Sequence, residues 1–308
     1  MLFGAGKLCF TEHPMHSLKR KDLRAAAFML LPFMIFFVLF VLYPLGVNLY
    51  YSFTDYNMNT AAWVGLRNFA RLPRDTAFVK ACRNTLVYAF VSVFALTALG
   101  LLTAVLLNRG TRAIKGLRLL FLYPYATSMT AMSMIWLMVF DPNHGFLNKL
   151  LRFMSMSGAN WLFDENLALG CLIFVNVWKN LGYCMLIYLA GIISIPQELY
   201  EAATVDGAGE ARRLFSITIP MMRPVMFFVF ITTMVDGFKT FEQVQIMTRG
   251  DPLNATTTIV HQIYLNGFND FRMGYASAMA VVLLAVVLVL TLINYRVNSL
   301  SEREVYGR

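Results

Sequence analysis

Residues 25–47 run for 23 positions without a charged side chain, and similarly uncharged stretches cover 85–108, 119–140 and 274–295. An α-helix rises about 1.5 Å per residue, so each stretch is long enough to cross the roughly 30 Å of hydrocarbon in a bilayer. Two further stretches are less pure. Residues 167–193 contain Lys179, and 224–247 contain Asp236, Lys239 and Glu242. The expected fold is therefore an all-α membrane protein with six transmembrane helices.

Composition agrees. The 308 residues are 58% hydrophobic and only 14% charged, with a mean hydropathy of +0.59, whereas charged residues approach about a quarter of a soluble domain. The net charge of +9 does not point to nucleic acid, because the basic residues are scattered between apolar runs; their partner is the anionic lipid of the cytoplasmic membrane face. Cys9, Cys82, Cys171 and Cys184 form no Cys-x-x-Cys pair, and neither they nor His13, His16, His144 and His261 fall at metal-ligand spacing, so neither a metal nor a disulfide framework is expected. No Gly-x-x-x-x-Gly-Lys-Ser/Thr cradle for nucleotide phosphates occurs, which assigns any ATP to another subunit. Nor is there a His-Glu-x-x-His or a nucleophile with a base, so an enzyme is not expected.

Lys19, Arg20, Lys21 and Arg24 precede the first run as in a signal peptide, but the apolar core of a cleaved signal is about 7 to 15 residues, shorter than this run, and the helix is expected to be retained. With six spans both termini share a side. Placing them inside sets fifteen Lys and Arg on the cytoplasmic side against nine outside, the bias expected of cytoplasmic loops. The organisation is a cytoplasmic N-terminal segment (1–24), one membrane domain (25–297) and a cytoplasmic tail (298–308). Pro32, Pro44 and Pro124 fall inside apolar runs and predict bent helices rather than loops. Trp63, Trp136, Trp161 and Trp178 read mainly as interface anchors, and the 19 methionines as adaptable packing.

The polar segment 194–223 breaks this pattern. Ser194 with Gln197, and Pro196 between them, predicts a capping box and helix start. Glu198 to Val205 continues that helix, Gly207-Ala208-Gly209 permits a sharp turn, and an amphipathic helix follows from Glu210 to Ile217. Ala202 and Ala203 would let another protein approach the backbone while Glu201 anchors it; the same pattern also fits an interfacial connector whose alanines simply favour helix.

The spacing Glu201-Ala202-Ala203, three residues, Gly207, nine residues, Ile217-Thr218-Ile219-Pro220 resembles the signature loop of binding-protein-dependent ABC importer permeases. Asn176-Val177-Trp178-Lys179 through Tyr183, Ala190-Gly191 and Ile195-Pro196-Gln197-Glu198-Leu199-Tyr200 resemble the carbohydrate-uptake branch that holds the maltose and glycerol-3-phosphate permeases. So do Leu122-Tyr123-Pro124-Tyr125-Ala126, Asn254-Ala255-Thr256-Thr257-Thr258 and Gly274-Tyr275-Ala276-Ser277-Ala278. Thr248-Arg249-Gly250-Asp251-Pro252 departs from the family, which usually has a run of glycines before the proline.

The resemblance implies an ABC importer type I permease fold in a bacterial inner membrane. It also implies a second homologous permease, two cytoplasmic ATPase subunits that hold ATP and Mg, an extracytoplasmic solute-binding protein, and no cofactor on this chain. Glu201, Ala202, Ala203, Asp206 and Gly207 would contact the ATPase. Tyr125, Met129, Asn176, Asn180, Tyr183, Asp236 and Thr240 would line the path of a sugar or sugar-like solute: tyrosines stack on sugar C–H faces, and amides and hydroxyls bond sugar hydroxyls. Charges inside a span should face a cavity or each other. Asp236 and Lys239, three apart, are therefore candidates to pair, with Lys179 joining them, either as a structural ion pair or as part of the path. The rival is a secondary transporter driven by an ion gradient, with Asp236 and Lys179 as its relay.

Overall fold

The computed structural model describes residues 20–108 and 112–306, with side chains described for 27–108 and 114–296. Most of the expected N-terminal segment, with Cys9, His13 and His16, and the last two residues of the tail lie outside it.

Helix α1 (Arg20–Phe37) contains Pro32 without ending, and a single wide turn, Val38–Leu42, joins it to α2 (Tyr43–Ser52). Pro44 explains that turn. Its missing N–H removes one helical bond, and the Tyr43 amide reaches back five residues to the Val38 carbonyl, the π-type arrangement that lets a helix pass a proline. The result is a 26-residue apolar span, Ala27–Ser52, none of its most apolar window buried. It forms a unit of its own up to Tyr50.

The second unit starts with a short hairpin that the all-helical expectation did not include. Strands β1 (Thr54–Tyr56) and β2 (Ala61–Trp63) pair antiparallel, Thr54 opposite Trp63. Asn57 Oδ1 accepts from the Thr60 amide at 2.9 Å, which closes the turn. Asn68 on α3 (Arg67–Arg71) donates to the carbonyls of Ser52 (3.0 Å) and Thr54 (2.8 Å). Six residues of strand are too few for alternation to register in the sequence.

Helix α4 (Thr76–Leu106) is capped by Asp75, whose Oδ1 accepts from the amides of Ala77 and Phe78. It packs along α8 (Ala168–Ile193) and α12 (Arg223–Phe238). Small residues bring the backbones close, the packing device of membrane helices: a Cβ on Gly237 would lie 2.9 Å from Ala89 Cα, and one on Gly100 2.9 Å from Cys184 Cβ. Tyr188, Met185, Val93, Val229 and Phe238 fill the core between them.

Four expected spans are single apolar helices: Ala27–Ser52, Thr76–Leu106, Ala168–Ile193 and Met273–Arg296. The other two expected spans are not single helices, and the count of six is not matched: among the described residues four helices, or five if the bent pair Glu210–Met221 and Arg223–Phe238 is one span, are long and apolar enough to cross a membrane. Residues 119–140 divide into α5 (Arg112–Ala126) and α6 (Met129–Val139); Pro124 weakens the end of α5, and Ser128 takes extended geometry and caps α6 by accepting from the Ala131 amide. Residues 224–247 divide into α12 and, beyond a non-helical Lys239–Phe241 stretch, α13 (Glu242–Met247). The outer connections carry α7 (Phe146–Phe153) and α14 (Ile259–Tyr264).

Between α8 and α12 lie α9 (Gln197–Val205), α10 (Glu210–Arg213), a wide turn (Leu214–Thr218) and α11 (Ile219–Met221), with a 65° bend into α12. Val105 and Asn108 share a crevice with Tyr200 and Thr218, so this segment sits at the C-terminal end of α4. The opposite end is knit to the 250–275 stretch. Asn84 Nδ2 donates to the carbonyls of Asn254 and Thr257, both at 3.0 Å, Lys80 Nζ donates to the Leu253 carbonyl at 2.8 Å, and Tyr275 at the start of α15 (Met273–Tyr306) donates to Asp75 at 2.8 Å.

Candidate translocation cavity and coupling segment

A cavity of about 610 Å³ opens where the two broken helices meet α8, and its wall includes Tyr125, Met129, Asn176, Asn180, Tyr183, Asp236 and Thr240. Both breaks serve it. The first places Tyr125 on the last turn of α5 and Met129 on the first of α6. The second places Lys239, Thr240 and Phe241 on non-helical backbone between α12 and α13. On α8, Asn176, Lys179, Asn180 and Tyr183 recur at i, i+3, i+4 and i+7, which sets them on one helical face.

The Tyr125 and Tyr183 rings stack on each other, 4.7 Å apart and 15° from parallel. Lys179 Nζ stands 5.2 Å from the Tyr125 ring centre and donates to the Tyr125 carbonyl at 3.2 Å. Asn180 Nδ2 donates to Asn176 Oδ1 at 2.9 Å. Below them the buried Gln243 accepts from Tyr88 Oη at 3.0 Å and donates to the Leu172 carbonyl. Thr258 Oγ1 donates to the Thr240 carbonyl at 2.9 Å, satisfying one of the groups that the break in the helix releases.

The anticipated ion pair is not formed. Among the described residues no salt bridge joins Asp236, Lys239, Lys179 or Glu242, although all four line the same cavity. Lys239 closes α12, its amide on the Asp236 carbonyl at 3.1 Å; Lys179 is turned to Tyr125 instead. The wall therefore carries two ammonium groups and two carboxylates with no salt bridge among them. Leu96, Thr233, Gly237, Phe241 and Gln243 complete it and escaped the sequence reading, since nothing in an apolar run marks which face a threonine or glycine presents.

At the other site Ser194 does not start a helix. It closes α8, its Oγ donating to the Gly191 carbonyl at 2.7 Å, and Gln197 bonds Glu201 Oε1 at 2.9 Å rather than completing a capping box. Serine serves the carbonyl of a preceding turn as readily as the amides of a following one. Helix α9 ends in a Schellman turn: Ala208 N–H to the Ala203 carbonyl at 2.8 Å, Gly207 N–H to Thr204 at 3.1 Å, and Gly207 at φ +77°, a conformation that favours glycine. Glu201, Ala202, Asp206 and Gly207 are exposed, Ala203 is half-buried and Val205 is 87% exposed. Arg213 Nη1 to Thr204 Oγ1 (3.0 Å) and Tyr200 Oη to Thr218 Oγ1 (2.9 Å) bind α9 to the return segment.

A helical membrane bundle with broken spans around a polar cavity and an exposed helical turn between two spans defines a transport component. Residues 96–303 match the model of the binding-protein-dependent transport system inner membrane component family, and the chain belongs to that family. It is 36% identical to the probable ABC transporter permease protein YesP of Bacillus subtilis strain 168, over 91% of this chain and 92% of that one. It is 32% identical to the sn-glycerol-3-phosphate transport system permease protein UgpA of Salmonella typhi, over 86% and 90%. Its fold matches a chain in the crystal structure of a bacterial ABC transporter involved in the import of the acidic polysaccharide alginate, with a TM-score of 0.81 and 25% identity, covering 92% of this chain and 96% of that one. The chain is a multi-pass inner-membrane permease subunit, and the reading as an ion-driven secondary transporter is set aside.

Proposed function

We propose that this permease carries a sugar or sugar-like solute and that the cavity is its share of the path. The convergence of two stacked tyrosines, two asparagines, a threonine and four charged side chains on one 610 Å³ space is the observation that carries the reading. Stacked rings give a sugar an apolar face to lie on, while amide and hydroxyl groups exchange hydrogen bonds with its hydroxyls. The relatives' names, one of them for sn-glycerol-3-phosphate and one for alginate transport, agree with a polyhydroxylated cargo.

The complex comprises a second, homologous permease, two ATPase subunits holding ATP and Mg, and an extracytoplasmic binding protein that delivers the solute. Both termini are cytoplasmic. Glu201, Ala202, Ala203, Asp206 and Gly207 form the seat of an ATPase, and its closure moves α9 with the ends of α8 and α12, switching the cavity between the two sides. Asn176→Ala and Tyr183→Ala tested in ATP-driven vesicle uptake are each expected to raise the half-saturating solute concentration on the order of tenfold, about the effect of one lost buried contact. Unchanged uptake in both variants would remove the cavity from the path.

A further inference from the structure

At the end of the bundle away from α9, a second pocket of about 540 Å³ is lined by Arg71, Arg74 and Arg272 with Asp75 and Asp270. The guanidinium carbons of Arg71 and Arg272 each lie 5.0 Å from the ring centre of Tyr275. Both oxygens of Asp75 are engaged, one by the first amides of α4 and the other by Tyr275 Oη at 2.8 Å. The acid is thus committed to holding the tyrosine and the helix. Among the described residues no salt bridge involves any of the three arginines, and Arg272 Nη2 is buried without an acceptor. Arg74 makes no hydrogen bond, ion pair or ring contact among them. A buried guanidinium donor without an acceptor is costly, and three guanidinium groups around one open space match the oxygens of a phosphate or carboxylate.

We propose that this pocket binds a phosphate or carboxylate group carried by a water-soluble ligand. Its height argues for water rather than lipid. The charge-free part of α4 begins at Thr85, and Thr76, in the pocket wall, lies nine residues earlier, about 13 Å along the helix. The headgroup layer reaches only about 5 to 7 Å beyond the hydrocarbon. The inference stands apart from the sugar reading and from the assignment of inside and outside.

The test uses the full chain in phosphatidylcholine nanodiscs, following thermal unfolding by tryptophan fluorescence as inorganic phosphate replaces chloride at constant ionic strength. Phosphate stabilises many proteins non-specifically, so the charge variants decide. The expected result is a saturable rise in melting temperature whose midpoint moves about fivefold higher in Arg74→Gln and about fivefold lower in Asp270→Asn, the scale of one exposed charge. Among the described residues neither side chain makes a hydrogen bond or ion pair, and their opposite signs separate binding from damage. Identical midpoints in all three proteins, or no saturable response in any, would overturn the proposal. So would loss of the phosphate response when phosphatidylglycerol replaces part of the lipid, which would identify a headgroup as the occupant.

Discussion

His261 is fully buried on α14, its Nε2 at 3.0 Å from Gln245 Oε1 and its Nδ1 buried without a partner among the described residues. Burial disfavours the charged imidazole and holds its pKa below the ordinary 6.5, with nearby Asp251 pulling weakly the other way. The sign follows. The unfolded chain binds the proton more readily, so the stabilisation is complete above about pH 6.5 and declines as the pH falls below it. Amide exchange across residues 250–262, corrected for its intrinsic pH dependence, is expected to accelerate between pH 7 and pH 5, and His261→Gln to flatten that profile. A wild-type profile already flat would show that the histidine does not titrate against folding. At this scale the sequence was informative where chemistry is unusual for a bilayer: Asn176, Asn180, Lys179 and Asp236 stand out in apolar runs, and all reach one cavity. The partner of Lys179 was not legible, because a backbone carbonyl and the ring of Tyr125 leave no mark in a sequence.

Among the elements, the turn after α9 gives the sharpest test. Nothing lies within 4 Å of a Cβ built on Gly207, yet its φ of +77° penalises an L side chain, so a substitution there strains the turn without a clash. Gly207→Val should cost roughly 1 to 3 kcal/mol locally and reduce ATP-driven uptake at least tenfold with membrane insertion unchanged. Gly207→Asn, which tolerates left-handed geometry, should retain most of it. Equal uptake by the valine variant and the wild type would remove this turn from coupling. The same segment shows what patterns reveal. Its glycine was readable because φ beyond zero has few candidates, but Ser194 was misread because a hydroxyl can close one helix as well as open the next. The breaks at Thr127–Ser128 and Lys239–Phe241 were hidden for a related reason: a broken span keeps the same apolar composition as a whole one.

For the molecule as a whole, only Ser194, Ile195 and Pro196 separate α8 from α9, and α11 leads into α12, so two of the helices that wall the cavity are joined through the segment that carries the exposed turn. About seventeen residues of α8, roughly 25 Å, separate Ile193 from Asn176, and close contacts along the way make the connection stiff. Gly182 is the tightest: a Cβ there would collide with the Phe121 carbonyl and stand 2.8 Å from Leu122 Cα, so α5 is held against α8 backbone to backbone. On the proposed reading, displacement of α9 reaches the cavity as a shift of packed helices rather than being absorbed by a loop. If that linkage drives import, solute should accumulate only in vesicles that contain both permeases, the ATPase pair, the binding protein and enclosed ATP with Mg. The chain reconstituted alone should carry none under an imposed proton gradient. Gradient-driven uptake by this subunit alone, unaffected by Gly207→Val, would show that the cavity works without the exposed turn and that the stiff path between them serves stability instead.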